Sequence, residues 1–312
     1  MSYVNTKVIL DRANKEYYGV GAFNINNLEF AQSILEACDE KKSPCILQTS
    51  EGAVKYAGNG DALRGARFFV GMVELYAQTL DIPVALHLDH GTDLKYIMAC
   101  IKAGYSSVMI DASHFKFQEN LEKTKEIVKI AHAAGVSVEA ELGQLAGIED
   151  NIQAAESVLV NPNEAKVFVE ETEVDFLAPA IGTSHGAFKF KGDAKLDYER
   201  LAKVKEITGM PLVLHGASSV VQEMVAIAQK YGADFGGSNS VPSQCLKETV
   251  KFGINKVNTD TDLRMSFIAG LREFLANNPK EFDPRKYQKT AKEYVKKVVM
   301  DRIDVLGSFG KA

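Results

Sequence analysis

Short apolar runs rich in β-branched residues recur along the chain, separated by longer segments of mixed polarity. Eight such runs can be distinguished, and they begin at Tyr18, Pro44, Pro83, Ser106, Val136, Val174, Met210 and Ile254. Most of them are nearly continuous in hydrophobicity, which is typical of strands buried on both faces of a sheet. The pattern therefore predicts eight interior strands.

The segments between these runs are long enough to form helices, and several show a helical period. In "ENLEKTKEIVKIAHAAG" the apolar residues Leu121, Ile127, Ile130 and Ala131 share one stripe, and Gly135 is placed to end the helix. The segment "DYERLAKVKEITG" repeats this pattern and also ends in glycine. Alternation of strands and helices favours a parallel sheet.

The number and spacing of these units indicate a closed barrel. Eight strand–helix units in roughly 260 residues match a (β/α)₈ TIM barrel. A doubly wound sheet is the alternative, but it usually has fewer strands and a glycine-rich nucleotide turn, and "GVGAFN" lacks the third glycine of that turn. We therefore predict a single barrel domain over residues 1–312, with a C-terminal helical extension at 284–306 that covers one end or meets a partner.

Composition and charge narrow the class of partner. The chain is 46% hydrophobic and 25% charged, has a net charge of −5, and contains no block of basic residues. This argues against nucleic acid and anionic membranes as main partners. The first residues have no apolar core long enough for a secretory signal, and no apolar run approaches membrane-spanning length, so we expect neither a signal nor a membrane span. The four cysteines form no CxxC pair, so we expect reduced thiols in a cytoplasmic protein.

Polar residues gather where the predicted strands end, which is where barrel enzymes place their active sites. Five of the six histidines lie in or just after such an end, whereas His132 lies in mid-helix and is expected to have no catalytic role. His87 is expected to be structural, on the same side of its strand as Asp89. For His114 a structural and a functional role remain equally open.

Three of these histidines suit a metal ion. His90, His185 and His215 follow three different strands and provide the imidazole ligands that zinc prefers, although cobalt or iron could occupy the same set. Asp111 and Glu141 are nearby oxygen ligands for a second metal ion, or for the same ion in another state. Asp89, next to His90, is then a candidate acid or base.

Three glycine- and serine-rich loops follow consecutive strands and could cradle a phosphate. They are "GTSHGAFKFKG", which contains Gly182 and Lys189, "HGASS", which contains Gly216 and Ser218, and "NTDTD". Barrels often bind phosphate at the last strand ends, helped by a helix N-terminus. A metal and a phosphate cradle at one mouth suggest a small phosphorylated substrate that the metal polarises. The rival to a metal, a Schiff-base lysine, has Lys256 as its only candidate within a strand.

Several long motifs resemble one family. "HLDHGT", "VMIDASH", "VEAELGQLAGIEDN", "LAPAIGTSHGAFKF", "LVLHGASS" and "INKVNTDTDLR" together resemble the compact form of the class II, metal-dependent fructose-bisphosphate aldolases, over nearly the whole chain. The resemblance implies a (β/α)₈ barrel and reversible cleavage of fructose 1,6-bisphosphate into dihydroxyacetone phosphate and glyceraldehyde 3-phosphate. It also implies zinc, often with Na⁺ or K⁺, and a homodimer or a homotetramer.

The resemblance also implies roles for single residues. It assigns the metal ligands named above, Asp89 as the residue that moves a proton to and from the glyceraldehyde 3-phosphate oxygen, and Glu149 of the "LAGIEDN" loop as the residue that exchanges a proton on the dihydroxyacetone phosphate carbon. Ser50 and Arg264 are assigned to the second phosphate. The full set of implied substrate contacts is Ser50, Gly182, Lys189, Gly216, Ala217, Ser218, Asn258, Thr259, Asp260, Thr261 and Arg264. The segment 57–69 has no place in this scheme.

Two other activities compete with this interpretation. Tagatose 1,6-bisphosphate differs from the fructose sugar at one hydroxyl, and the resemblance implies that Asp260 favours fructose, since tagatose-specific members lack this aspartate. A metal-dependent hydrolase on the same barrel often carries an HxH pair on the first strand, and "YGVGAFNI" has no histidine.

Overall fold

Eight parallel strands close into a barrel in the computed structural model, as the sequence predicts. The structure describes residues 2–145, 147–149, 152–154, 157–183, 196–219, 221–235 and 241–312, with only the backbone at 147–149 and 152–154. The barrel strands are β1 Val20–Asn24, β2 Cys45–Ser50, β3 Val84–Gly91, β4 Ser107–Ile110, β5 Ser137–Leu142, β8 Phe176–Pro179, β9 Leu212–Leu214 and β10 Ile254–Thr259. Their order around the barrel is β1-β10-β9-β8-β5-β4-β3-β2.

A short hairpin lies outside the barrel between β5 and β8, in a segment that the sequence analysis treats as a loop. Its strands, β6 Gly147–Glu149 and β7 Ile152–Ala154, pair in antiparallel fashion. Strands of three residues are too short to show a period of two, so the pattern of the sequence gives no sign of them.

Helices surround the barrel, and polar side chains mark where most of them begin. They are α1 Thr6–Glu16, α2 Leu28–Glu40, α3 Glu51–Ala57, α4 Ala62–Ala77, α5 Leu94–Ala103, α6 Phe117–Ala133, α7 Pro162–Thr172, α8 Tyr198–Thr208, α9 Gln222–Lys230, α10 Ser243–Lys251, α11 Thr261–Asn277 and α12 Pro284–Leu306. The predicted C-terminal helix is confirmed as α12. Asp283 caps its first turn, and Gly307 ends it in the left-handed conformation.

The segment 57–69 joins two closely packed helices. α3 ends at Ala57, and α4 begins after Asp61, whose side chain accepts a hydrogen bond from the Arg64 backbone. A Cβ atom on Gly65 would lie 1.9 Å from the carbonyl oxygen of Val54. Only glycine at position 65 allows the backbones of α3 and α4 to approach this closely.

The hydrophobic core has an inner and an outer part. The outer part fills the space between strands and helices, whereas a separate cluster fills the barrel interior. In that inner cluster Ile9, Leu10 and Ala13 of α1 pack against Val20 and Phe176, so α1 plugs the amino-terminal end of the barrel. Among the described residues, no helix has the length and apolar character that crossing a membrane requires.

Candidate functional site

An irregularity in β3 brings two neighbouring polar side chains to the same site. Adjacent residues of a strand normally point to opposite faces. At His90, however, the backbone φ is 48°, which is uncommon for a residue other than glycine, and the pairing of β3 with β4 shifts register between Leu88 and Gly91. Asp89 and His90 can therefore both face the mouth of the barrel. The backbone N–H of His90 donates to the sulfur of Met109 at 3.4 Å.

Two groups of ligand atoms within the described residues are compact enough to hold a metal ion. One consists of Asp89, His90 and His215, and the other of His90, Asp111 and Glu141, with the ligand atoms of each group within 4.8 Å of one another. The groups share His90, and all five side chains are buried. Imidazole nitrogens combined with carboxylate oxygens suit zinc and similar divalent ions. The third predicted histidine ligand, His185, lies outside the described residues.

The shared ligand His90 is oriented by a carboxylate. Its Nδ1 lies 2.8 Å from Oδ2 of Asp111, and the Ser113 hydroxyl donates to the other Asp111 oxygen at 2.7 Å. Burial alone would raise the pKa of Asp111, but the contacts with His90 and Ser113 hold that pKa below its usual range. Asp111 therefore remains ionised and can hold the imidazole or bind a metal.

His215 lies between two glutamates of β5. Its Nδ1 is 2.9 Å from Oε2 of Glu141, and its Nε2 is 2.7 Å from Oε1 of Glu139. Burial and the neighbouring His90 favour the neutral imidazole, yet the hydrogen bonds to the two glutamates raise the pKa of His215 to about 9. The rings of His90 and His215 meet edge to face, with their centroids 4.5 Å apart.

Three side-chain amides hold Asp89 in place. Asn24 and Gln48 donate to Oδ2 of Asp89 at 3.1 and 3.0 Å, and Asn258 donates to Oδ1 at 2.8 Å. Asn24 and Gln48 are absent from the sequence-based site. The signal that could have found them is a polar residue within an otherwise apolar strand, because a buried amide requires a partner inside the barrel.

A second polar layer lies deeper in the barrel and involves the predicted structural histidine. His87 contacts the Ser107 hydroxyl through Nδ1 at 2.7 Å, and its Nε2 is 3.4 Å from Glu139. Burial and the charge of Lys256 lower the pKa of His87, so the ring is neutral. The ammonium of Lys256 is 2.9 Å from the same glutamate. Lys256, the candidate for a Schiff base, is thus held in a buried ion pair.

The other two histidines of the described residues, His114 and His132, belong to neither ligand group. His132 contacts Asp175 at 2.8 Å on the outside of the barrel. The ring of His114 lies 4.0 Å from that of Phe115, and His114 borders a cavity of about 260 Å³ that also reaches Asp111.

The predicted contacts to the second phosphate come together in the structure. Ser50 and Arg264 line one cavity of about 340 Å³, together with Asn26 and Tyr56. Arg264 also donates to Asp260 at 2.7 Å. Asp260 therefore has a charged partner within the chain. The sequence alone does not indicate this contact.

The predicted cradle for the first phosphate is only partly described. Gly182 and Gly216, which follow the neighbouring strands β8 and β9, have φ values of 103° and 60°, a conformation that glycine adopts without strain. Ala217 and Ser218 are buried after Gly216. Lys189 lies outside the described residues, and only the backbone of Glu149 is described.

The last strand and the C-terminal helix complete this side of the mouth. Thr259 is buried at the end of β10, and Thr261 begins α11. Next to it, Asp262 accepts from the Ser219 backbone at 2.9 Å and from Arg302 of α12 at 2.6 Å. Arg302 also donates to the Ser219 hydroxyl at 2.7 Å. Arg302 is absent from the sequence-based site, because a single arginine in a helical pattern is typical of a surface residue.

Comparisons with known proteins agree with this geometry. The family described as "Fructose-bisphosphate aldolase class-II" matches residues 4–311. A fructose-bisphosphate aldolase of Helicobacter pylori is 55% identical over 306 residues, covering 97% of both chains. One from Thermus caldophilus is 50% identical and covers 97% of this chain and 98% of its own. The crystal structure of the YdjI aldolase from Escherichia coli K12 matches with a TM-score of 0.78 at 28% identity, covering 99% of each chain.

Proposed function

Because the chain belongs to the class II fructose-bisphosphate aldolase family, we propose that the mouth of its barrel cleaves fructose 1,6-bisphosphate to dihydroxyacetone phosphate and glyceraldehyde 3-phosphate, and catalyses the reverse condensation. The observation that carries this proposal is the pair of metal-ligand groups that share His90, one of which also contains Asp89. Aldol cleavage requires both an electron sink at a carbonyl and a group that moves a proton.

The electron sink in this proposal is a zinc ion. His90 and His215 would hold it, with His185 as the third ligand, while Asp111 and Glu141 are oxygen ligands for a second or alternative position. Bound there, zinc supplies a Lewis acid for the carbonyl of the substrate. The alternative sink, a lysine Schiff base, is disfavoured because Lys256 is paired with Glu139 at 2.9 Å.

Asp89 is proposed to move the proton of the reacting hydroxyl. In cleavage, the bond between C3 and C4 of the sugar breaks, and the hydroxyl on C4 gives its proton to Asp89 as it becomes the aldehyde. In condensation Asp89 returns that proton. The amides of Asn24, Gln48 and Asn258 keep the carboxylate directed at the mouth. Glu149 is proposed to exchange the proton on the dihydroxyacetone phosphate carbon.

The substrate contacts are proposed to divide between two phosphate sites. Gly182, Lys189, Gly216, Ala217 and Ser218 form the cradle for one phosphate, assisted by Na⁺ or K⁺. Ser50 and Arg264, which share one cavity, bind the other. The residues proposed for the sugar hydroxyls and the adjoining phosphate are Asn258, Thr259, Asp260 and Thr261.

The deciding experiment is an aldolase assay with both bisphosphate epimers before and after chelation. We expect cleavage of fructose 1,6-bisphosphate, its loss on treatment with a strong chelator, and its recovery when zinc is added. Full activity in metal-free protein, or trapping of a substrate adduct by borohydride, would contradict the proposal. We also propose that the protein is cytoplasmic and forms a homodimer or a homotetramer. Light scattering measures the mass of the oligomer and so distinguishes the two assemblies.

Asp260 is the proposed discriminator between fructose 1,6-bisphosphate and its tagatose epimer. A carboxylate at this position can accept a hydrogen bond from a hydroxyl in one configuration only. Because Arg264 already donates to Asp260, the carboxylate keeps a partner when the epimer binds, and discrimination should be near the lower end of the roughly 1–3 kcal/mol for an unsatisfied group. Asp260→Ala should therefore narrow the ratio of the two kcat/KM values by about tenfold. A proportional loss for both sugars would show that specificity lies elsewhere.

A further inference from the structure

Lys256 is completely buried inside the barrel, where an unpaired lysine is almost never found. It lies on β10, and its side chain crosses the interior to reach β5, three strands away in the barrel order. Its ammonium contacts Oε2 of Glu139 at 2.9 Å and donates to Oδ1 of Asn258 at 2.7 Å. Glu139 is also completely buried.

Each partner of Lys256 contacts one residue of the proposed site. Through its other oxygen, Glu139 is 2.7 Å from Nε2 of His215. Asn258 donates through its amide nitrogen to Asp89 at 2.8 Å. A continuous path of hydrogen bonds and one ion pair therefore runs from the metal-ligand histidine to the proton-transfer aspartate, and Lys256 is at its centre.

The chemistry of the ammonium group determines how both partners are oriented. An ammonium only donates hydrogen bonds, so it selects the oxygen of the Asn258 amide and leaves the nitrogen to face Asp89. Without Lys256 the amide oxygen loses this donor, and the amide is held less firmly in the orientation that donates to Asp89. On the side of Glu139, the positive charge of Lys256 compensates the buried carboxylate. Without that charge, burial would favour the neutral form of Glu139.

The ionised Glu139 in turn determines which nitrogen of His215 is available. Both nitrogens face a glutamate, Nε2 towards Glu139 and Nδ1 towards Glu141 and the mouth of the barrel. With a metal ion bound at Nδ1, the ionised Glu139 would keep the proton on Nε2. A hydrogen bond to the far nitrogen is the usual way in which a protein fixes the tautomer of a metal-binding histidine.

We propose that Lys256 is a positioning residue shared by both halves of the site, holding His215 for the metal and Asp89 for proton transfer without contacting the substrate. The proposal rests on the roles proposed above for His215 and Asp89. It accounts for a buried charge that neither packing nor Schiff-base chemistry explains.

Two branches leave Lys256. The metal branch runs through Glu139 to His215, and the other runs through Asn258 to Asp89. Two variants distinguish their effects. In Lys256→Met the charge is lost and the volume is kept, so both branches should fail. In the double variant Lys256→Met/Glu139→Gln no unpaired charge remains, and the amide oxygen of the glutamine can still accept from Nε2 of His215. The double variant should therefore recover the metal branch, while Asn258 remains without its anchor.

Zinc affinity of the metal-free protein is measured by competition with a chelating dye, and kcat and KM are then measured at saturating zinc. For Lys256→Met we expect zinc affinity to fall about 10–100-fold, as for other residues that support metal ligands. We expect kcat to fall by at least about tenfold, but less than the loss of about 10²–10⁴-fold for a missing acid or base. KM should change less than kcat, because Lys256 does not contact the substrate and Asn258 is the one proposed substrate contact that it holds.

Lys205→Met is the matched control, since Lys205 is partly buried but bonded to neutral oxygens of Asn255 and Met210 at the other end of the barrel. It should change neither zinc affinity nor kcat. Wild-type zinc affinity and kcat in Lys256→Met would overturn the proposal, as would borohydride trapping on Lys256. If Lys256→Met does not fold, wild-type kcat in the double variant would overturn it. Absence of aldolase activity in the wild type would instead reject the proposed function, because the dye competition needs no substrate.

Discussion

The two ends of the barrel are built from the same strands but differ in chemistry. At the amino-terminal end, Val20 of β1 and Ala85 of β3 pack in the apolar cluster that α1 plugs. Four residues further along each strand, Asn24 and Asp89 hydrogen-bond to each other at the mouth. A strand that is apolar at its start and polar at its end provides stability at one end and chemistry at the other. The cost of burying the polar side chains is offset by the hydrogen bonds that they make to one another.

Two lysines show how each end treats a buried charge. Lys256 faces the glutamate Glu139 and is completely buried. Lys205, near α1, donates only to neutral oxygens, those of Asn14, Asn255 and the Met210 backbone. Without a carboxylate to compensate burial, the pKa of Lys205 is lowered to about 8. The difference suggests that an ion pair is placed where a fixed charge has a function.

The largest expected effect is on turnover at the carboxyl end. Asp89→Ala should lower kcat by about 10²–10⁴-fold while the protein keeps its metal, because the substitution removes the proposed acid and base but neither histidine. Turnover is measured together with metal content. Asp11→Ala, on the exposed face of α1, is the control and should leave both unchanged. If Asp89→Ala loses the metal, Asp89 is a ligand, as its place in the first ligand group would allow.

The next effect concerns the polar packing behind the mouth. Arg302→Met removes the guanidinium that pairs with the buried Asp262 and should lower the free energy of unfolding by about 3–5 kcal/mol. Because Arg302 also holds Ser219, next to the proposed phosphate cradle, KM should rise as well. Urea unfolding and steady-state kinetics test both effects. Asp262→Asn/Arg302→Met, which leaves no unpaired charge, should recover part of the stability. An unchanged KM would show that the contact between α12 and Ser219 does not affect substrate binding at the cradle.

The apolar end should respond in stability alone. Leu10→Ala removes a completely buried side chain of the plug and should lower the free energy of unfolding by about 2–5 kcal/mol. Turnover per folded molecule should not change, since the cavity forms far from the mouth. Val8→Ala on the exposed face of the same helix should stay within about 0.5 kcal/mol of the wild type. A fall in kcat for Leu10→Ala would mean that the two ends are coupled.

The smallest effect is the pH dependence that arises from Lys205. Its pKa is about 8 in the folded protein and returns to its ordinary value of 10.5 on unfolding. Between these values the unfolded chain binds more protons, so this group makes the free energy of unfolding rise with pH in that window. Below about pH 8 its destabilising contribution is constant. The measurement is the difference in urea stability between wild type and Lys205→Met from pH 7 to pH 10. The stability of the wild type should rise relative to that of Lys205→Met as pH increases, and no such relative rise would contradict the assignment.

The sequence by itself determined the succession of elements and most of the candidate rim. Eight apolar runs correspond to the eight barrel strands, and the helix at 284–306 is α12. Of the predicted metal ligands, the structure brings His90, His215, Asp111 and Glu141 together. Periodicity and the position of polar residues at strand ends carry this information. Both reflect local propensity and burial, which depend on residues that are close together in the sequence.

The tertiary structure alone decided which polar residues meet. A period of two places Asp89 and His90 on opposite faces, and only the left-handed backbone at His90, held by pairing with β4, brings both to the mouth. The contact of Lys256 with Glu139 exists because the sheet closes and sets β10 across the interior from β5. Barrel closure joins residues more than a hundred positions apart, and such contacts leave no periodic trace in the sequence.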